Sequence, residues 1–288
     1  MRAADPVPAI AEADATGELA GLYEDIRQTL NVPFVNLVWR HLATIPGALP
    51  WTWAAVKPLY AMPAFDRAAD VLARVPALDT LIEPCLPEAL TLINLGETER
   101  QAITAMLADY GHANARALLA LLAAGARLDG GDSDDAVYAA ETAGSEEGAT
   151  GETTPATART PGAALPLPGL DTLSPATLKV IDVLNSYGQI ADTAIVASLY
   201  RHLAHWPGFL ALACTVLARP QRDGVLAAEV RSTLEQARSI AARLPRFGEA
   251  PDRLAAEARE AAAASLNAFT GQAISRMVVM GAAMQRLL

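Results

Sequence analysis

The sequence predicts an all-α protein built from two pseudo-symmetric helical modules, with a pocket at their interface. Three observations carry this expectation. Alanine and leucine dominate a chain of 288 residues that is 52% hydrophobic and only 5% aromatic, and these two residues are among the strongest helix formers. The period-2 alternation of half-buried strands is absent. One motif occurs twice: Trp39–Pro50 reads WRHLATIPGALP and Tyr200–Ala211 reads YRHLAHWPGFLA, an offset of 161 residues. A repeat of that length is a duplicated domain, whereas solenoid periods run to roughly 20–50 residues.

The elements follow in order. A helix over 17–30 starts behind Thr16, a capping residue, and carries apolar side chains at helical spacing. Further helices are expected near 34–44, 48–61, 65–74, 98–108 and 112–125. The proline-bearing stretches ALPWTW, AMPAF and LIEPCLPEAL separate the middle ones. The second module opens in the same way over 174–186, with Ser174 as cap and Pro175 at the first helical position. Helices near 192–204, 207–217, 221–243, 250–262 and 263–287 complete it. The modules therefore span 1–127 and 166–288. Between them, 128–165 is rich in Gly, Ser, Thr, Pro and Glu and nearly lacks large apolar residues. It is expected to be an acidic, disordered linker with at most a helical turn at Ala136–Glu141.

Net charge is −10. Residues 127–161 hold eight acids and two bases, a contribution of −6, so the remainder carries −4 and would not strongly repel a small anion. An acidic chain lacks the basic surface that phosphate backbones require, which argues against nucleic acid. No apolar run reaches the roughly 18 residues of a membrane span. Residues 1–13 lack the apolar segment of a signal peptide, so a cytoplasmic protein is expected. Cys85 and Cys214 are expected to be buried thiols. His41, His112, His202 and His205 have no carboxylate or thiolate at ligand spacing, so no metal site is expected. DGGDSDD lacks the spacing of a calcium loop. Glycine-rich phosphate loops, nucleophile elbows and zinc-protease signatures are absent.

The repeated pairs Arg40-His41 and Arg201-His202 are the most visible polar feature. The favoured reading is structural, with each Arg paired to a carboxylate near a helix end and each His on the module surface. A symmetric anion clamp is the alternative. Just before each pair, Val32–Leu37 (VPFVNL) and Ala194–Leu199 (AIVASL) are entries into a helix. Such entries can aim backbone N–H groups into a cleft.

Gly17–Pro50, with its YEDIR-x-TL-x-VP-aromatic-V core and LAT-x-PG-x-LP tail, resembles the group I, non-stereospecific 2-haloacid dehalogenases. Asn114–Ala120 (NARALLA), Ser198–Leu210 (SLYRHLAHWPGFL) and Phe269–Leu287 resemble further segments of the same family. The resemblance implies an all-α, internally duplicated fold and a cofactor-independent hydrolysis. In that reaction a carboxylate activates water, which attacks the halogen-bearing carbon directly. It also implies a pocket lined by Phe34, Leu37, Asn114, Ser198, Leu199 and Phe269, with Asn114 orienting the water. The family's catalytic Asp follows Ser198, where this chain has Leu199. Leucine cannot accept a proton, and loss of a general base commonly costs about 10²–10⁴ in rate. Asp192 or His112 would be a displaced base, with Asp109 a further neighbour of Asn114.

Three readings remain open. The first is a dehalogenase-like protein that has lost or altered the hydrolysis but keeps a pocket for a short 2-substituted carboxylate or an apolar ligand. The second is a working dehalogenase with a displaced base. The third is a non-catalytic interaction protein. A homodimer is a further expectation.

Overall fold

A computed structural model describes residues 6–129, 160–246 and 254–288. Among the described residues every regular element is a helix: α1 (Gly17–Leu30), α2 (Leu37–Leu42), α3 (Ala48–Val56), α4 (Pro63–Ala73), α5 (Pro87–Leu92), α6 (Glu97–Asp129), α7 (Pro175–Ser186), α8 (Ser198–Leu203), α9 (Pro207–Val216), α10 (Ala218–Arg222), α11 (Val225–Ala241), α12 (Ala256–Ala268) and α13 (Ser275–Gln285). A π-helical turn, Phe269–Ile274, joins the last two.

Helix α6 is the axis of the molecule. Two helices were expected here, with a break at 109–111, but one 33-residue helix runs through. A mid-helix glycine costs roughly 1 kcal/mol against alanine, and burial overrides it. Every residue of 113–121 is buried, the pattern of a helix that other helices surround. Helix α13, buried throughout 275–281, packs along it, and α3, α4, α11 and α12 also lie against it. The core is thus continuous across both halves of the sequence.

Helix α1 buries Tyr23, Ile26 and Leu30 on one stripe. It ends at Asn31 in the left-handed region (φ 50°), a conformation that asparagine tolerates better than most residues. Helix α7 starts as the sequence requires: Ser174 Oγ accepts the Thr177 N–H at 3.1 Å, and Pro175 occupies the first position. Helices α2 and α8 are six residues each and stand 161 residues apart, the offset of the sequence repeat. Each is shorter than expected, because 32–36 and 189–197 are loops leading into it. The expected 221–243 helix divides at Gly224 (φ 75°) into α10 and α11.

Most of the segment expected as a linker, including the turn at 136–141, lies outside the described residues. Its flanks are structured. Leu128 is a buried residue of α6. Beyond residue 160 the chain is extended and tied down: the Gly162 N–H donates to Asp109 Oδ2 (3.0 Å), and Arg201 Nε donates to the Pro168 carbonyl (2.9 Å).

Candidate active site

Three helices bring a polar group together in the core. The loop 32–36 and α2 supply Phe34, Asn36 and Arg40. Helix α6 supplies Tyr110 and Asn114, one turn apart. Helix α8 supplies Ser198 and His202, also one turn apart. All seven are buried.

The first of these elements is held from outside by the N-terminal segment. Glu12 Oε1 accepts the Val35 N–H (2.8 Å), and the Ile10 N–H donates to the Arg40 carbonyl (3.1 Å). Tyr23 Oη in turn donates to the Ile10 carbonyl at 3.1 Å. With its backbone so fixed, Arg40 turns inward. Its Nε donates to the Val35 carbonyl (3.0 Å), and its Nη2 donates to Ser198 Oγ (3.2 Å), a residue 158 positions later. Carboxylate pairing was expected for this residue, yet both of these bonds go to neutral oxygens.

Asn36 Nδ2 donates to Asn114 Oδ1 at 3.2 Å. The other ends of the two amides, Asn36 Oδ1 and Asn114 Nδ2, are buried without protein partners. A bare acceptor beside a bare donor suits one water or one ligand hydroxyl. Next to this pair, Tyr110 Oη and His202 Nδ1 are 2.7 Å apart. The Phe34 ring stacks on Tyr110 (4.3 Å between centroids, 23°) and meets His202 at 5.9 Å.

Burial sets the charges. It pushes His202 down to about 4, partly opposed by a hydrogen bond to the Leu165 backbone, so this imidazole is neutral at pH 7. Burial drives the Tyr110 phenol far upward, so it too is neutral. Arg40 is lowered by burial, and repulsion from Arg201 acts in the same direction. The site is therefore electropositive, and its two hydrogen-bonded titratable groups are uncharged. His202, expected on a surface, is inside because α8 turns its last residues toward α6.

The expected site residues divide. Phe34, Asn114 and Ser198 belong to the group just described. Leu37 is buried at the first position of α2. Leu199 is fully buried, with its Cδ2 4.0 Å from the position a Cβ on Gly281 would take, so it faces α13. Phe269 is buried in the π turn with its ring 5.4 Å from that of His41. Asp192 is exposed on the loop before α8. His112 Nε2 lies 3.0 Å from the Leu30 carbonyl at the end of α1. The structure joins neither Asp192 nor His112 to the polar group. Asn36, Arg40 and Tyr110 were not expected as a set. Arg40 stood out in the sequence as half of a repeated pair, and Tyr110 stands one helical turn before Asn114.

A separate cleft of about 50 Å³ lies between α3, α6 and the end of α11, lined by Ala55, Leu59, Ala123, Arg127 and Leu244. None of the expected site residues lines it. No group of three or more His, Cys, Asp or Glu able to hold a metal ion occurs among the described residues. No described helix is long and apolar enough to cross a membrane.

The fold is that of the all-helical D-2-haloacid dehalogenases. The structure of a mutant D-2-haloacid dehalogenase in complex with D-2-CPA superposes with a TM-score of 0.72 at 19% identity, over 98% of this chain and 96% of that one. A D-2-haloacid dehalogenase structure with L-LA gives 0.70 at 18% identity, over 97% and 95%. Two relatives match at the level of sequence. A configuration-inverting 2-haloacid dehalogenase of Alcaligenes xylosoxydans xylosoxydans is 33% identical over 116 residues, 40% of this chain and 39% of the relative. An (R)-2-haloacid dehalogenase of Pseudomonas putida is 38% identical over 92 residues, 30% of this chain and 31% of the relative. The chain thus matches well under half the length of each. No family model matches it.

Proposed function

We propose that the protein is a 2-haloacid-dehalogenase-like protein that binds a short 2-substituted carboxylate between its two duplicated halves and has lost carboxylate-activated hydrolysis of the carbon–halogen bond. The observation that carries this reading is Leu199. It follows Ser198, where the resemblance expects the water-activating Asp, and it is buried to 0% against α13.

Support for ligand binding comes from the polar group. Arg40 is a buried cation whose Nη2 meets Ser198 Oγ, and together they suit the carboxylate of a small acid. Phe34 forms an apolar wall beside them. The free ends of Asn36 and Asn114 suit a water molecule. In direct hydrolysis that water would form a C–O bond as the C–X bond breaks, releasing halide and passing a proton to a base. Leu199 cannot take that proton. The neutral, depressed His202 is a weak acceptor at best. The fold and the partial sequence similarity support membership of the dehalogenase family, while the chemistry of its relatives is not carried over.

Halide release from both enantiomers of 2-chloropropionate tests this. The wild type is expected to release none above background, and Leu199→Asp to recover release by about 10²-fold or more. Binding of the acid to the wild type, measured by calorimetry, checks the pocket independently of turnover, because a carboxylate at a fully buried position could unfold the variant. Wild-type turnover that depends on Asn114 would overturn the loss of chemistry. Absence of binding would overturn the ligand.

A further inference from the structure

Asn36 stands at the N-cap of α2, where an asparagine carbonyl ordinarily accepts an N–H of the helix's own first turn. It makes no such bond. Its side chain turns instead to α6, and Asn36 Nδ2 donates to Asn114 Oδ1 at 3.2 Å. The two residues are 7% and 5% exposed, yet Asn36 Oδ1 and Asn114 Nδ2 have no protein partner. Exchanging oxygen and nitrogen in both amides does not alter this result. Whichever amide donates to the other, one carbonyl oxygen and one amino group are left over.

Two further hydrogen bonds fix where the pair lies. Arg40, one turn along α2, donates from Nε to the carbonyl of Val35, the residue before Asn36, at 3.0 Å, and from Nη2 to Ser198 Oγ at 3.2 Å. Its guanidinium therefore folds back alongside the backbone that carries Asn36. Tyr110, one turn before Asn114 on α6, meets His202 Nδ1 at 2.7 Å. The bonds Asn36–Asn114, Tyr110–His202 and Arg40–Ser198 each join a different two of α2, α6 and α8. Together they close a ring of three helices, and the cation and the amide pair both belong to it.

With the carboxylate of an acid on Arg40 and Ser198, the substituent on its next carbon falls to the amide pair. That pair needs one group that both donates to Asn36 Oδ1 and accepts from Asn114 Nδ2. A hydroxyl does both. A carbonyl only accepts. An ammonium only donates, and it also meets the charge of Arg40. A carbon-bound halogen donates nothing. Each of these leaves a buried polar atom unmet, which costs roughly tenfold to a hundredfold in affinity. A hydroxyl also reproduces the bonds of any water it displaces, and a halogen does not.

We propose that Asn36 is a specificity-determining residue that selects a 2-hydroxy carboxylate over the 2-halo, 2-oxo and unsubstituted acids. The selection rests on the carboxylate being held by Arg40 and Ser198, and it names the group that the next carbon bears.

Calorimetric titration of the full-length chain with lactate, 2-chloropropionate, pyruvate and propionate compares acids of one length that differ only at the second carbon. At least one enantiomer of lactate is expected to bind about tenfold more tightly than any of the others. Asn36→Ala should bring lactate down to the affinity of propionate and leave propionate close to its wild-type value. In crystals grown with lactate, its hydroxyl oxygen should lie within hydrogen-bonding distance of Asn36 Oδ1. Equal wild-type affinities for lactate and propionate would overturn the selection while the acid site itself stood. Failure of every acid to bind would remove the acid site, and the selection with it. A lactate preference that survived Asn36→Ala would overturn the role of Asn36. The wild-type series decides the selection even where Asn36→Ala does not fold.

Discussion

At the residue scale, His202 shows how a repeated motif and burial pull apart. Its counterpart His41, 161 residues earlier, is half-exposed and bonded to Pro8 and Ser265. The same dipeptide thus serves two environments, and nothing in the repeated sequence distinguishes them. Burial gives His202 a titration that stability should reveal. Its folded value is depressed from 6.5 to about 4, so the unfolded chain binds the proton first. The contribution is full above pH 6.5 and fades as pH falls toward 4, reaching on the order of 3 kcal/mol in total. Urea midpoints of the wild type should therefore drop across this window. His202→Gln should flatten that part of the profile, and an unchanged slope would mean that His202 is protonated in the fold.

The element scale is where the sequence was most legible. Ser174 and Pro175 announced α7, and the structure has Ser174 Oγ on the Thr177 N–H. Ser174→Ala should cost about 1 kcal/mol, read as a shift in denaturant midpoint at constant m-value. Thr16 occupies the matching place before α1 without a side-chain cap bond, so Thr16→Ala should cost clearly less. Where the reading failed, it failed for tertiary reasons. A break at Gly111 was reasonable for a local sequence, but α6 is buried on all sides over 113–121 and continues. The loops 32–36 and 189–197 hold apolar residues that propensity extends into helix, whereas Glu12 and Asn185 hold their backbones extended. Such partners are 10 to 23 residues away, beyond any local window. The site was legible in the same partial way. Phe34, Asn114 and Ser198 came from motif resemblance. The Arg40–Ser198 and Tyr110–His202 bonds join residues 158 and 92 apart, and only the fold could reveal them.

For the whole molecule, the α6–α13 contact is the structural commitment. It unites the two halves in one core, so unfolding should be a single cooperative transition. Leu118 on α6 and Met280 on α13 are both fully buried. Truncating either to alanine should destabilise by roughly 2–5 kcal/mol. Each loss should move the entire denaturation curve, with helicity and tryptophan fluorescence tracking together. Two separated transitions would mean that the halves fold independently.

The π-helical turn Phe269–Ile274 carries a last consequence, for insertions and deletions. A wide turn within a helix holds what amounts to one spare residue. Helix α13 keeps its register with its neighbours because the wide turn absorbs that residue. Losing one position from this turn would close it into ordinary α-helix and leave α13 where it is. Losing one position inside Ser275–Gln285 would instead rotate everything after it by about 100° and turn the exposed Gln285 face toward α6. A single-codon deletion should thus be tolerated in Phe269–Ile274 and disruptive a few residues later.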